Sequence, residues 1–256
     1  MLQAHSFLWH YLWLAPHFLQ LGLGVLMWRK RLHKLFPIFF AYVIFEALEE
    51  FLLYFLDVTP SVSFVAFWRA YCAGRIIEGV LKIALVGELF HHLTAPWPVL
   101  AKLGYRLISG LGAFLVVLAV VAAAYSPVDN PQVAIISHAH VLEQTFYIVQ
   151  TGLVLFLFIF AAHFDLSWDS RSFGIAAGFA VLVCEHLAAW AVMASGALME
   201  QRHLLDLLNM ATYHACVLIW FYYFLVPEKS ATKAAVPLPE NNLAIWNREL
   251  ERLLHP

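Results

Sequence analysis

Charge is what this sequence has least of. Of 256 residues only 12% are Asp, Glu, Lys or Arg, against roughly 25% in an ordinary soluble domain. Hydrophobic residues make up 62% and mean hydropathy is +0.76. That scarcity excludes a soluble globular class. The 15 basic and 17 acidic residues nearly cancel, to a formal −2, so nothing points to nucleic acid. Cysteine is also scarce. Cys72, Cys184 and Cys216 each lie inside apolar runs, which excludes a disulfide framework and predicts reduced thiols. No basic segment precedes the first apolar run; Arg29, Lys30 and Arg31 follow it. The run is therefore expected to remain as a membrane helix rather than to be removed as a signal peptide.

What the chain does have is seven runs close to the ~20 residues that cross a ~30 Å hydrocarbon core. They fall near Phe7–Trp28, Phe36–Leu56, Phe64–Phe90, Tyr105–Tyr125, Val133–Phe160, Phe173–Leu198 and Leu204–Val226. Proline-bearing turns at Val58-Thr59-Pro60, Ala95-Pro96-Trp97-Pro98 and Ser126–Pro131 separate several of them. The expected fold is all-α, a polytopic bundle of seven transmembrane helices over residues 1–227, followed by a tail over 228–256.

Orientation follows from the short loops. Eleven of the 15 basic residues, Arg29 to Lys34, Lys102, Arg106, Arg171 and those of the tail, fall on one side of a seven-span arrangement. Only Arg202 falls on the other, and Arg69, Arg75 and Lys82 lie within the third run. The basic side is cytoplasmic by the positive-inside rule, so the N-terminus is outside and the expected location is the inner cell membrane. The third run is the awkward one, because each central charge costs ~2.5–3.5 kcal/mol to insert. Leaving it on the surface, however, would move the basic tail outside. The fourth run is almost free of charge and is expected to be peripheral. In the tail, Leu243, Trp246, Leu250, Leu253 and Leu254 share one helical face, which suits a helix on the inner membrane surface or one that docks a cytoplasmic protein.

Ionisable groups inside spans face the bundle interior and are functional candidates by default. Glu46, Glu49 and Glu50 follow one another at i, i+3 and i+4 on one arc of the second helix, and Arg75, Glu78 and Lys82 share an arc of the third. His140, Glu143 and Tyr147 form a stripe on the fifth helix; Glu185 and His186 lie on the sixth, Tyr213 and His214 on the seventh, and His17 on the first. Most fall near mid-span. Glu46, Glu49, Arg75, Glu78, Lys82, His140, Glu143, Tyr147, Glu185 and Tyr213 are the candidates for binding a ligand or proton, and His17, His186 and His214 for a metal. Six carboxylates, with Glu50 included, face only Arg75 and Lys82, so a proton, a metal ion or a cationic ligand must supply positive charge. Arg75 stays charged even when buried, and Glu46 is its expected partner, with Glu78 the local rival.

The seventh run contains no lysine, which excludes a retinal Schiff base. The histidine-box pattern is absent, and no Glu-x-x-His pair falls within any of the seven runs. In outline alone, the seven runs with an outside N-terminus resemble uncharacterised bacterial seven-helix membrane proteins and the membrane modules of bacterial sensors. That resemblance implies a receptor-like or sensory role, and it carries no residue role. Two alternatives stay open: a membrane oxidoreductase using haem or a transition metal at the histidines and carboxylates, and a proton-coupled carrier. The carrier lacks support from any internal repeat.

Overall fold

A computed structural model describes residues 7–124, 131–164, 166, 168–194, 202–226 and 242–254. Among them there are eight α-helices and no strand. They are α1 (Phe7–Arg29), α2 (Pro37–Val58), α3 (Phe64–Leu93), α4 (Pro98–Ala124), α5 (Pro131–His163), α6 (Ser170–Ala194), α7 (Arg202–Leu225) and α8 (Asn242–Leu254), with a 3₁₀ turn at Leu32–Lys34 between the first two. Prolines open α2, α4 and α5 at the first helical position, where a missing N–H costs nothing.

Three helices carry stretches long and apolar enough to cross a membrane: Val141–His163 in α5, Ser170–Ala189 in α6 and Leu204–Leu225 in α7. The chain is thus fit for membrane association. In α2 and α3 the charges of the site described below interrupt the apolar run.

Helix neighbours define a closed ring of α1, α2, α3, α5, α6 and α7, in which α7 returns to α1. Outside the ring α4 packs on α3 and α5, as expected of a helix with no charged residue beyond Arg106. Its seam with α3 is close: a Cβ at Gly104 would meet the Phe90 ring, and one at Gly112 would meet Ile83. Leu107, Phe114 and Val117 point away from the ring and are exposed.

Charged and amide side chains fasten the helices at the end of the bundle that carries Arg29–Lys34, here the basic end. Phe36 precedes α2 and has no side chain that can cap it. Glu88, from the last turns of α3, instead accepts the Ile38 and Phe39 N–H groups at 2.9 and 3.0 Å, satisfying donors that the helix start leaves over. Lys30 donates to the carbonyl of Phe224 in the last turn of α7 at 2.9 Å. Asp169 caps α6 through the N–H groups of Arg171 and Ser172. Asn247 of α8 accepts from Val99 and Leu100, both at 3.2 Å. This last contact explains why α4 begins at Pro98, seven residues ahead of the expected Tyr105: the cap comes from the distant tail helix.

Each ring helix contributes wholly or almost wholly buried apolar residues between this end and mid-bundle. They include Leu23 and Met27 of α1, Phe39 of α2 with Phe36 just before it, Leu85 and Leu89 of α3, Leu157 of α5, Ile175 of α6, and Trp220 and Phe224 of α7. Together they form a continuous apolar plug.

Candidate functional site

On the far side of that plug lies a buried cluster of ions. Arg75 is at its centre, because α2 and α3 are antiparallel neighbours joined by a short turn. Its Nη2 lies 3.0 Å from Glu49 Oε1 and 2.8 Å from Glu50 Oε1, and its Nη1 lies 2.6 Å from Glu78 Oε2. Lys82 pairs with the other oxygen of Glu78. The Arg75 guanidinium lies over the Tyr71 ring, 5.1 Å from its centroid, and the Lys82 ammonium lies 5.2 Å from that of Tyr147. Both cations thus gain favourable contact with aromatic π faces as well as their carboxylates.

This arrangement corrects the expected pairing of Arg75 with Glu46. Arg75 takes Glu49 and Glu50 from across the helix interface and Glu78 from its own helix. The reason is steric. Glu49 lies directly against Gly74, where a Cβ would occupy the position of its carboxylate. Without a side chain at Gly74, Glu49 reaches the neighbouring Arg75.

Glu46 is left in different surroundings. It is 4% exposed, and its Oε2 is buried without a hydrogen-bond partner, as is Oε2 of Glu49. One oxygen each from Glu46, Glu49 and Glu78 lies within 4.8 Å of the other two. One turn toward the plug, Tyr42 is wholly buried, and its hydroxyl approaches Glu46 and Tyr213 but makes no hydrogen bond of good geometry. Tyr213 accepts a hydrogen bond from Gln20 Nε2, and Gln20 Oε1 accepts one from His17 Nδ1 at 2.9 Å.

The outer rim of the cluster is formed by Glu50. Its Oε2 accepts from Trp13 Nε1 at 3.0 Å. Its side chain is 17% exposed, against 5% for both Glu49 and Glu78. Beyond it Tyr54 and His10 approach at 3.4 Å. The cluster therefore opens, narrowly, at the end away from the plug.

A second polar group joins it through Lys82. Tyr147 of α5 stacks on His186 of α6 with ring centroids 3.8 Å apart. His186 Nδ1 donates to the Leu182 carbonyl at 2.9 Å, and Glu185 Oε2 lies 3.1 Å from that nitrogen. Arg75, Glu78, Lys82, Glu143, Tyr147 and Gln150 share a cavity no larger than one water molecule. A groove between α4 and α5 is apolar and lies apart from these charges.

Of the candidates read from the sequence, Glu46, Glu49, Arg75, Glu78, Lys82, Tyr147 and Tyr213 fall in this layer, with Glu143 on the cavity wall. Glu185 joins through His186. The side chain of His140 lies outside the described residues. The three histidines considered for a metal have separate neighbours: His17 has Gln20 and Tyr213, His186 has Tyr147, and His214 lies 6.1 Å from the Tyr11 ring. The carboxylate trio Glu46, Glu49 and Glu78 is what converges. Sequence reasoning missed Gly74 and Tyr42. The i, i+4 spacing of Tyr42 and Glu46 was the available signal for the second. No protein-family model, no curated protein and no solved structure matches the chain.

Proposed function

We propose that the chain is a seven-span, receptor-like membrane protein of the inner cell membrane that senses a proton or small cation at its buried carboxylate site. In this reading α1 to α7 all cross the bilayer, the basic end is cytoplasmic, and residues 228–256 form a cytoplasmic tail whose helix α8 rests on α4 and is available to a cytoplasmic partner. The pairing of Arg75 and Lys82 with Glu49, Glu50 and Glu78 supports insertion of α2 and α3, because ions satisfied within the bundle are not presented to lipid.

The observation that carries the reading is charge. Four carboxylates, Glu46, Glu49, Glu50 and Glu78, enclose only two cations, Arg75 and Lys82. Two formal negative charges remain in a low-dielectric interior, where uncompensated charge is costly. The polar cavity has room for a water molecule, not for a larger ligand. The site opens toward the end with Glu50 and is backed by the apolar plug on the other side, which favours binding over passage. That asymmetry separates a sensor from a proton-coupled carrier.

Reconstitution in liposomes enclosing a pH-sensitive dye tests it. A pH step should change the spectroscopic state of buried carboxyl groups without proton flux above that of empty liposomes. Sustained flux would replace the sensor with a carrier. A haem absorption band or stoichiometric transition metal in the purified protein would instead favour the oxidoreductase.

A further inference from the structure

We propose that Glu46 is the group that takes up the proton at this site, and that Tyr42 and Tyr213 pass its state to α7. The inference rests on the proton-or-cation reading above and deepens it by choosing between the two.

Glu46 differs from its neighbours in having no cation in contact. Arg75 and Lys82 hold Glu49, Glu50 and Glu78 by direct ion pairs, while Oε2 of Glu46 is buried without a partner. A metal ion is poorly served here, since calcium takes six to eight oxygen ligands and magnesium about six, several of them waters, and the adjoining cavity has room for a single water. Glu46, Glu49 and Glu78 bring three oxygens together, and both oxygens of Glu78 are already ion-paired. A proton needs one.

The second observation is the orphaned Tyr42 hydroxyl, one helical turn from Glu46 on the same face and wholly enclosed. It marks the end of a directional chain. His17 donates to Gln20, and Gln20 donates to the Tyr213 oxygen. The hydrogen of Tyr213 is thereby left to turn elsewhere, and the buried polar groups beside it are the Tyr42 hydroxyl and Glu46, each with an oxygen that has no hydrogen-bond partner. An ionised Glu46 can only accept from a neighbouring hydroxyl, whereas a protonated Glu46 carries a donor of its own. Taking up the proton therefore reverses the demand on both hydroxyls. Tyr42 and Tyr213 each pack edge-on against Trp220, at 6.1 and 6.4 Å between centroids. Tyr213 and Trp220 lie on α7, which leads into the tail.

The groups facing Glu46 are Tyr42 and Glu49 on its own helix, Arg75, Glu78 and Lys82 on α3, and Tyr213 on α7; His17 of α1 and His186 of α6 act on Glu78. The far larger exposure of Glu50 makes it the entry point rather than the store.

The test uses the full chain in phospholipid nanodiscs. Infrared difference spectra read protonated carboxyl groups as pH changes, and hydrogen exchange by mass spectrometry reads α7. In the wild type, acidification should bring in a buried carboxylic-acid band and alter exchange between Tyr213 and Leu225. Glu46→Gln should remove both responses, and Glu46→Asp should shift the band while keeping it. Tyr213→Phe should keep the band and lose the α7 response. A band that survives Glu46→Gln unchanged, an α7 response that survives Tyr213→Phe, or displacement of the proton by added calcium or magnesium would overturn the assignment. If the wild type shows neither a carboxyl response to pH nor binding of calcium, magnesium or sodium, the sensor reading itself fails.

Discussion

Replacing Arg75 with Gln should be the most damaging single change in the ion cluster, and the structure says how its cost is distributed. Arg75 contacts three carboxylates within 3.0 Å. On its loss Glu78 keeps Lys82, and Glu50 keeps the Trp13 N–H. Glu49 keeps nothing, because its other oxygen is already without a partner. Breaking a buried pair by removing one partner costs about 3–5 kcal/mol, and Arg75→Gln belongs in that range. Glu49→Gln should cost less, since Arg75 retains two anions. Glu46→Gln should be the mildest of the three, since Glu46 contacts no cation. The double mutant Arg75→Gln/Glu49→Gln should be less destabilised than the sum of its parts, with a coupling of roughly 0.5–3 kcal/mol. Maleimide reaction of Cys216, which is wholly buried, reports thermal unfolding once the exposed Cys184 and the half-buried Cys72 are changed to Ser. Glu46→Gln as harmful as Arg75→Gln, or strict additivity of the Arg75 and Glu49 changes, would refute the reasoning.

Three further outcomes follow from the packing and the topology. Gly74→Ala should destabilise by about 1–3 kcal/mol, because the new Cβ displaces the Glu49 carboxylate from Arg75. Gly152→Ala, whose Cβ would meet nothing within 4 Å, should be neutral or mildly stabilising in the same unfolding assay. Asn247→Ala should remove the cap of α4, at a cost of about 1 kcal/mol, and hydrogen exchange at the Val99 and Leu100 amides should rise; unchanged protection there would mean that α8 does not hold α4. For the proposed seven-span topology, cysteines placed at Ser61 and Lys233 should be labelled from opposite sides of the membrane, and labelling of both from one side would exclude an odd number of spans.

Much of the layout is legible in the sequence because it depends on periodicity within single helices. The spacing of Glu46, Glu49 and Glu50, and of Arg75, Glu78 and Lys82, places each set on one face whatever the neighbours do. The absence of any charged residue after Arg106 likewise suits α4 to a place outside the ring. Partner choice is another matter. It depends on the rotation of one helix against the next, and here Gly74 decides it by letting Glu49 approach α3. The charges that make the third run awkward also separate once packing is known. Arg69 is exposed near the start of α3, Glu88 caps α2 at the basic end, and only Arg75, Glu78 and Lys82 enter the site. The metal assignment to His17, His186 and His214 rested on shared depth. Depth does not bring residues on α1, α6 and α7 together, and each histidine has its own neighbours.

The arrangement of polar and apolar groups along the bundle axis bears most directly on function. A carrier must expose its site alternately to both sides, so its ionisable groups need a polar or movable route each way. In this chain the groups in the half of the bundle between Glu46 and the basic end are Phe36, Phe39, Tyr42, Trp220 and Phe224 with their aliphatic neighbours, all wholly or almost wholly buried. Phe39, Tyr42, Phe179 and Trp220 pack ring against ring within 6.5 Å. The next carboxylate in that direction, Glu88, is committed to two backbone N–H groups. Opening such a plug would mean parting packed aromatic surfaces whose burial contributes roughly 25 cal/mol per Å², and the polar groups behind them, Glu88 and His92, are already engaged with backbone N–H and C=O groups. A protonation change at Glu46 meets less resistance if it is relayed as a change in packing, through Tyr42 and Tyr213 onto Trp220 and along α7. On the proposed reading the plug serves both purposes: it stops the proton and transmits the consequence of its arrival.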